Sequence, residues 1–404
     1  MLTRTPSQTL TDQLAGRFAE RIRARLLGTG ARLPSVRECA RQQGVSPYTV
    51  VAAYDQLLAQ GLVEARKQKG FFVRDLAAEG TPTAAASSTG QRVDRAERAS
   101  GAPLPAGSRI DATALIRGMF HQASSKPQPG AGVLPADWLE NSFLPVAVRK
   151  VASGASLAET TLRYGEPMGD TRLREALARK LEGIRLSVTP AQIVTTIGAT
   201  HALDIVSRTL LKAGDPVMVE EPGWSVEYAR LVSLGMRVLP VPRGPDGPDL
   251  AVMARYCELH RPKLFVSVSV FHNPTGYCLS PGSAHRVLQL AQQHDFHIVE
   301  DDTYSHIAPE HATRLSVLDG LTRTIYVSGF AKILAPNWRV GYLVAPPALV
   351  ERLLDTKLLS TLTTPAMLER ALAICIEQGQ LRRLSERVRA AARRSRTRSS
   401  RLAL

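Results

Sequence analysis

Lys332 is the residue that first suggests covalent chemistry. It follows the β-branched run Thr324–Ser328 in the stretch YVSGFAKILAPNWRVGY. A lysine amine at a strand end can condense with a carbonyl to a Schiff base. Seven residues on, Arg339 carries a planar fork suited to bidentate phosphate binding. Asp301 closes the run HIVED and could keep a ring nitrogen protonated, and Tyr304 could donate to a phenolic oxygen. Asn273, in HNPTG, is a neutral donor for that same oxygen. Gly198, Ala199 and Thr200 lie between the run IVTTI and a helical stretch, where free backbone N–H groups suit a phosphate. Trp224, in EEPGW, could stack on a ring. Singly these are ordinary surface, turn and core residues. Together they supply what pyridoxal 5'-phosphate needs: a lysine, a carboxylate, phenolic-oxygen donors, a phosphate cup and an aromatic face.

The elements that would position them alternate. Strand candidates are Ile193–Ile197, Pro216–Glu220, Arg237–Val241, Leu264–Val270, His297–Asp301, Thr324–Ser328 and Val340–Ala345. Helical stretches separate most of them, which predicts an α/β domain with a mainly parallel sheet covered on both faces. Each candidate site residue falls at or after a strand end, where open α/β sheets bind ligands. This body is expected over 110–380, after a linker at 77–109 rich in Ala, Gly, Pro and Ser.

Ahead of the linker, 7–76 reads as a winged helix-turn-helix. Leu10, Leu14, Phe18, Ile22 and Leu26 form one apolar stripe on a helix ending near Gly28. Ser35-x-x-Glu38 is a capping box for a second helix that stops at Gly44. Ser46 caps a third, with Pro47 at its first position and Gly61 at its end. That places Ser46, Tyr48 and Thr49 where a recognition helix meets base edges. A hairpin follows, with a basic tip, Arg66-Lys67-Gln68-Lys69-Gly70.

The segments L-P-S-x-R-x-x-A, G-V-S-x-x-T-V and A-Y-x-x-L-x-x-x-G resemble the GntR-type transcription regulators. The resemblance implies duplex-DNA contacts from Arg37, Ser46, Tyr48, Thr49, Lys69 and Gly70. Pro47 departs from it, since many relatives carry arginine there. From 110 onward the motifs resemble the fold type I, class I/II aminotransferases, which implies pyridoxal phosphate held as a Schiff base on Lys332. It also implies that Tyr164, in Tyr164–Gly169, reaches the phosphate of a partner subunit in a homodimer. Gly329 and Ala331 stand where that family commonly has serines, with Ser328 displaced by one. Head, linker and body together resemble the MocR group of bacterial regulators. This implies a cofactor-responsive regulator with an amino-acid or amine effector; the alternative is an active aminotransferase carrying a DNA-binding head.

Aminotransferases normally continue into a small α/β domain bearing an arginine for the substrate carboxylate. After LRRLSERVRAAARR no strand pattern follows, so we expect that domain to be largely missing and 381–404 to be a basic tail. A truncated or shifted reading frame would produce it; a tail that touches DNA phosphates is the alternative.

Charge agrees with this division. The 404 residues carry a net +15; 1–76 hold 12 Lys/Arg against 6 Asp/Glu, and 381–404 hold nine arginines against one acid. The middle is near neutral, so the basic head is the expected nucleic-acid contact. A 44% hydrophobic content excludes a disordered chain. No apolar run reaches the ~18–20 residues of a membrane span. The four cysteines make neither a C-x-x-C pair nor a metal spacing, so a reducing cytoplasm is expected.

Overall fold

The computed structural model describes residues 9–23, 27, 30–59, 61–66, 70–74, 132–153, 157–158, 161–309 and 311–402, without the side chains of 23, 59, 65, 66 and 396–402. The chain divides into two compact units, Met1–Gly118 and Met119–Leu404. Lys69, the 77–109 linker and the expected start of the body at 110 lie outside the described residues.

The head contains α1 (Leu10–Arg23), α2 (Val36–Gln43), α3 (Pro47–Ala59) and the hairpin β1 (Val63–Arg66) and β2 (Gly70–Val73). The α1 stripe of Leu14, Phe18 and Ile22 is buried against Val50, Tyr54 and Leu57 of α3. Tyr54 sits at the centre. Its ring meets Phe18 and Phe71 edge-on, with centroids 5.6 and 5.0 Å away, and its hydroxyl donates to the Pro34 carbonyl at 2.9 Å. Both expected caps form. Ser35 Oγ accepts from Glu38 N at 3.3 Å, and Ser46 Oγ accepts from Thr49 N at 3.1 Å. The α2 box is only half made, because the Glu38 carboxylate accepts from Arg41 and Gln42. The wing gains a third edge: Leu33 N donates to Phe71 O at 2.9 Å and Val73 N to Ala31 O at 3.0 Å.

All seven expected strands of the body form, in one sheet. They are β3 (Ile193–Thr196), β4 (Pro216–Glu221), β5 (Arg237–Pro242), β6 (Leu264–Ser267), β7 (His297–Asp301), β8 (Thr324–Gly329) and β9 (Gly341–Val344), in the order β3-β9-β8-β7-β6-β4-β5. The pairs among β5, β4, β6, β7 and β8 are parallel, and β9 is antiparallel to both neighbours. One expected strand is shorter than its apolar run. The Leu264–Val270 candidate stops at Ser267, because Val268 N donates to the Glu220 carboxylate at 2.9 Å instead of to a neighbouring strand.

Helices α4 (Phe143–Ala152), α5 (Thr171–Glu182), α6 (Ala199–Leu210), α7 (Ser225–Ser233), α8 (Leu250–His260) and α9 (Pro281–Gln293) surround the sheet, followed by α10 (Pro347–Thr361), α11 (Ala366–Glu377) and α12 (Gln380–Leu402). Residues from β3, β4, β6, β7, β8 and β9 share one apolar layer with α6 and α10, including Val206, Val219, Val327, Leu343 and Leu353. A separate layer joins β8 and β9 to α5, α11 and α12. The basic stretch expected as a tail is helical as far as Leu402. Among the described residues no helix is long and apolar enough to cross a membrane.

Candidate functional site

The sheet topology gathers the candidate residues at one edge. The parallel strands β4, β6, β7 and β8 all end there. Because β9 runs against them, its start, with Arg339 just before it, lies at that same edge. Gly341 is paired with Thr196 of β3 and with Gly329 of β8, so three chain segments meet at this point. The contact requires glycine: a Cβ on Gly341 would lie 2.5 and 2.6 Å from the carbonyl carbon and Cα of Gly198. Gly198 itself has φ +79°, and a Cβ there would sit 2.7 Å from an Arg339 guanidinium nitrogen. Arg339 donates to the Ile197 carbonyl at 3.2 Å. The guanidinium is thus held beside the N-terminal turn of α6, where Ala199 and Thr200 present the N–H groups of a first helical turn.

Lys332 occupies the turn after β8, and its Nζ donates to the Gly132 carbonyl at 2.6 Å. Burial lowers its proton affinity, Asp301 opposes that shift and Arg339 adds to it. Burial pushes the Asp301 carboxyl up to about 6, against the pull of Thr303, which donates to Oδ1 through both N–H and hydroxyl. Lys332 lowers the Asp301 value and Glu227 raises it. Tyr304 is raised, first by burial and then by Asp301. A lysine, a carboxylate, a phenol and a guanidinium therefore sit within electrostatic reach of one another, partly removed from water.

Beside them is a cleft whose walls include Trp224, Asp301, Glu220, Glu227, Tyr228 and His272. The last four were not singled out from the sequence. Glu220 is buried and accepts from Arg243, from Ser267 Oγ at 3.2 Å and from Val268 N, and it faces His272 Nε2 at 3.3 Å. His272 Nδ1 in turn meets Thr275 Oγ1 at 2.9 Å. The signal was adjacency, since Glu220 and His272 stand inside the same EEPGW and HNPTG motifs that supplied Trp224 and Asn273.

His272 is on the wall of the cleft, and Asn273, next to it in the chain, is half-buried in the turn that follows. Tyr164 is 84% exposed. Ser328, the displaced serine, is buried and donates to the Asp302 carbonyl at 2.9 Å. The arginines of α12 with described partners hold backbone oxygens or Glu386: Arg387 those of Trp138 and Glu140, Arg389 those of Ser385 and Ala308.

In the head, Arg37, Ser46, Tyr48 and Gly70 are exposed and Thr49 is half-buried. Ser46 and Thr49 share a hydroxyl–hydroxyl bond of 2.8 Å. Lys69 lies outside the described residues, but the Arg32 side chain reaches the same wing, 3.4 Å from where a Gly70 Cβ would stand.

Comparison with known proteins finds a family match within each of the two units. Residues 130–403 match the aminotransferase class I and II family, and residues 10–73 match the gntR family of bacterial regulatory proteins. The probable rhizopine catabolism regulatory protein MocR of Rhizobium meliloti is 30% identical over 347 residues, covering 82% of this chain and 65% of that protein. The uncharacterized HTH-type transcriptional regulator YisV of Bacillus subtilis is 27% identical over 366 residues, covering 87% of this chain and 70% of that protein. Among solved structures, LysN, an alpha-aminoadipate aminotransferase from Thermus thermophilus complexed with N-(5'-phosphopyridoxyl)-L-leucine, superposes with a TM-score of 0.58 at 28% identity. That match covers 64% of this chain and 66% of LysN.

Proposed function

The chain belongs to the aminotransferase class I and II family, whose members depend on pyridoxal phosphate, and from that premise we propose that it is a pyridoxal-phosphate-responsive, DNA-binding transcription regulator. The observation that carries the reading is the convergence of Lys332, Asp301 and Arg339 at the sheet edge where Gly198 opens α6. These residues fit the cofactor. The space beside Gly198 that a Cβ would fill is bounded by a guanidinium and a helix N-terminus, a combination that suits a phosphate dianion.

When bound, the cofactor supplies an electron-withdrawing pyridine ring and an aldehyde. Lys332 would anchor it as a Schiff base, and burial keeps more of its amine neutral, and so nucleophilic, than an exposed lysine would have. Asp301 would hold the ring nitrogen's proton. Its carboxyl is raised by burial, and a cation placed against it reverses that shift, so the pairing favours a pyridinium. Tyr304 and Asn273 would donate to the phenolic oxygen and Trp224 would cover the ring. Arg339, Gly198, Ala199 and Thr200 would hold the phosphate, with Tyr164 added from the second subunit of a homodimer. The 84% exposure of Tyr164 supports that last assignment, since the ring is free to reach a neighbour.

Regulation would be a population shift, in which cofactor, alone or with an amino-acid or amine effector, favours one arrangement of paired heads on two operator half-sites. Arg37, Ser46, Tyr48, Thr49, Lys69 and Gly70 would make the DNA contacts. Four free thiols, three of them buried, support a reducing, cytoplasmic setting. The test is the near-visible absorbance of the full chain with pyridoxal phosphate. Wild type is expected to show a band that borohydride abolishes, and Lys332→Ala to lack it. A band that survives in the variant overturns the assignment of Lys332. An amino-group transfer assay separates the aminotransferase alternative.

A further inference from the structure

The solvent face of α3 has an unusual composition for a helix that reads DNA. Its sequence, PYTVVAAYDQLLA, has no lysine or arginine. A bidentate arginine–guanine contact, the commonest specific contact in the major groove, cannot come from it. Several of its polar groups already have partners within the head. Ser46 and Thr49 bond to each other, Ser46 Oγ also caps the helix, and the Gln56 amide donates to Asp12 at 2.9 Å. Toward solvent, the N-terminal end presents the ring of Tyr48, which also carries a hydroxyl, and the side chain of Val51. Tyr48 is 82% exposed and Val51 is 41% exposed. Three residues apart on a helix, they form one continuous patch. Asp55 extends that face one turn further and is exposed; its charge repels phosphate and favours entry of the N-terminal turn into the groove. The head carries exposed cations on other elements: Arg37 and Arg41 on α2, Arg41 paired with Glu38 at 2.5 Å, and Arg32 at the wing.

Resting on the DNA-binding reading above, we propose that this helix reads thymine by its C5-methyl group, through Tyr48 and Val51. The exposed arginines of the head would supply affinity without sequence information. In the major groove the thymine methyl is the one apolar group that a base edge displays, and apolar side chains are its partners. The operator half-sites therefore have A·T pairs at the positions facing Tyr48 and Val51. Arginine contacts to phosphate position the helix and account for the salt dependence.

The test uses the full-length chain and a duplex enriched from a random pool by repeated binding. That duplex is then resynthesised with uracil in place of thymine, which removes the methyl and leaves every hydrogen-bonding group unchanged. We expect about a fourfold loss of affinity per contacted methyl, the equivalent of one buried CH₂. Tyr48→Ala is expected to bind thymine and uracil duplexes more nearly equally. Arg37→Ala is expected to weaken both alike and flatten the salt dependence. Equal affinity of wild type for the two duplexes, or an enriched site whose half-site cores are G·C, overturns the methyl readout while leaving DNA binding in place. Failure to bind any duplex at low salt overturns the DNA-binding reading, and this inference with it.

Discussion

In the head, Arg37, Ser46 and Tyr48 stand in solvent on a frame whose interior is dry around Tyr54. In the body, Lys332, Asp301 and Tyr304 are drawn partly out of water, and their proton affinities are displaced. The difference follows from what each surface would contact. A duplex is a large polyanion that must be reached, so the side chains that would meet it stand exposed. A small aromatic cofactor held covalently needs a neutral amine and a desolvated carboxylate, so its partners are tucked between strand ends. The two regions also differ in how they hold shape. The head relies on one aromatic centre and two helix caps. The cofactor edge relies on backbone-to-backbone contact at two glycines.

That contrast can be broken from either side. Tyr54→Ala removes a fully buried ring and its bond to Pro34, and is expected to cost the head about 3–5 kcal/mol. Duplex binding should be lost while the cofactor absorbance remains; simultaneous loss of both in one titration would show that the two regions do not hold separately. Gly341→Ala is the converse. Its Cβ would meet Gly198 backbone well inside contact distance, so about 3 kcal/mol of body stability and the cofactor site are expected to go, with duplex binding at low salt kept.

Asp301→Asn has a smaller effect, and its sign depends on the cofactor. Burial holds this carboxyl at about 6, above an unfolded value of about 3.9, so between those values the folded body binds more protons than the unfolded chain. The stability it contributes is present at low pH and is lost as pH rises through 6. Without cofactor, the asparagine variant should therefore be more stable than wild type at pH 7.5, by about 1–2 kcal/mol, and equal to it near pH 4. With cofactor the order should reverse, because the variant cannot pair with a pyridinium. Melting curves at the two pH values, with and without pyridoxal phosphate, check both signs. Ser46→Ala comes last. Loss of the α3 cap is expected to cost about 1 kcal/mol and to appear as a lower first melting transition.

Much of this was legible in the sequence because the relevant signals are local. β-branched runs between helical stretches marked the seven strands, and Ser35, Gly44 and Ser46 marked the turn of the helix-turn-helix. Lys332, Asp301 and Trp224 were legible because each stands in a short motif at a strand end. Strand order was not, since alternation says nothing about which strand neighbours which, and the reversal of β9 is fixed by pairing with β3 and β8. The buried network around Glu220 was hidden for a similar reason. Its partners Arg243 and Val268 lie 23 and 48 residues away, and only the folded sheet brings them to the carboxylate. Leu264–Val270 appeared as a longer strand because its residue types are uniform up to Val270, whereas the Glu220 carboxylate takes Val268 out of the ladder.

The most direct test of the central claim is the affinity of the full-length chain for its enriched duplex, measured at fixed salt with and without pyridoxal phosphate, for wild type and Lys332→Ala. If the body is a cofactor sensor for the head, pyridoxal phosphate shifts the wild-type affinity severalfold and leaves that of the variant unchanged. Equal wild-type affinity with and without cofactor, in protein whose absorbance shows it to be loaded, would contradict the account.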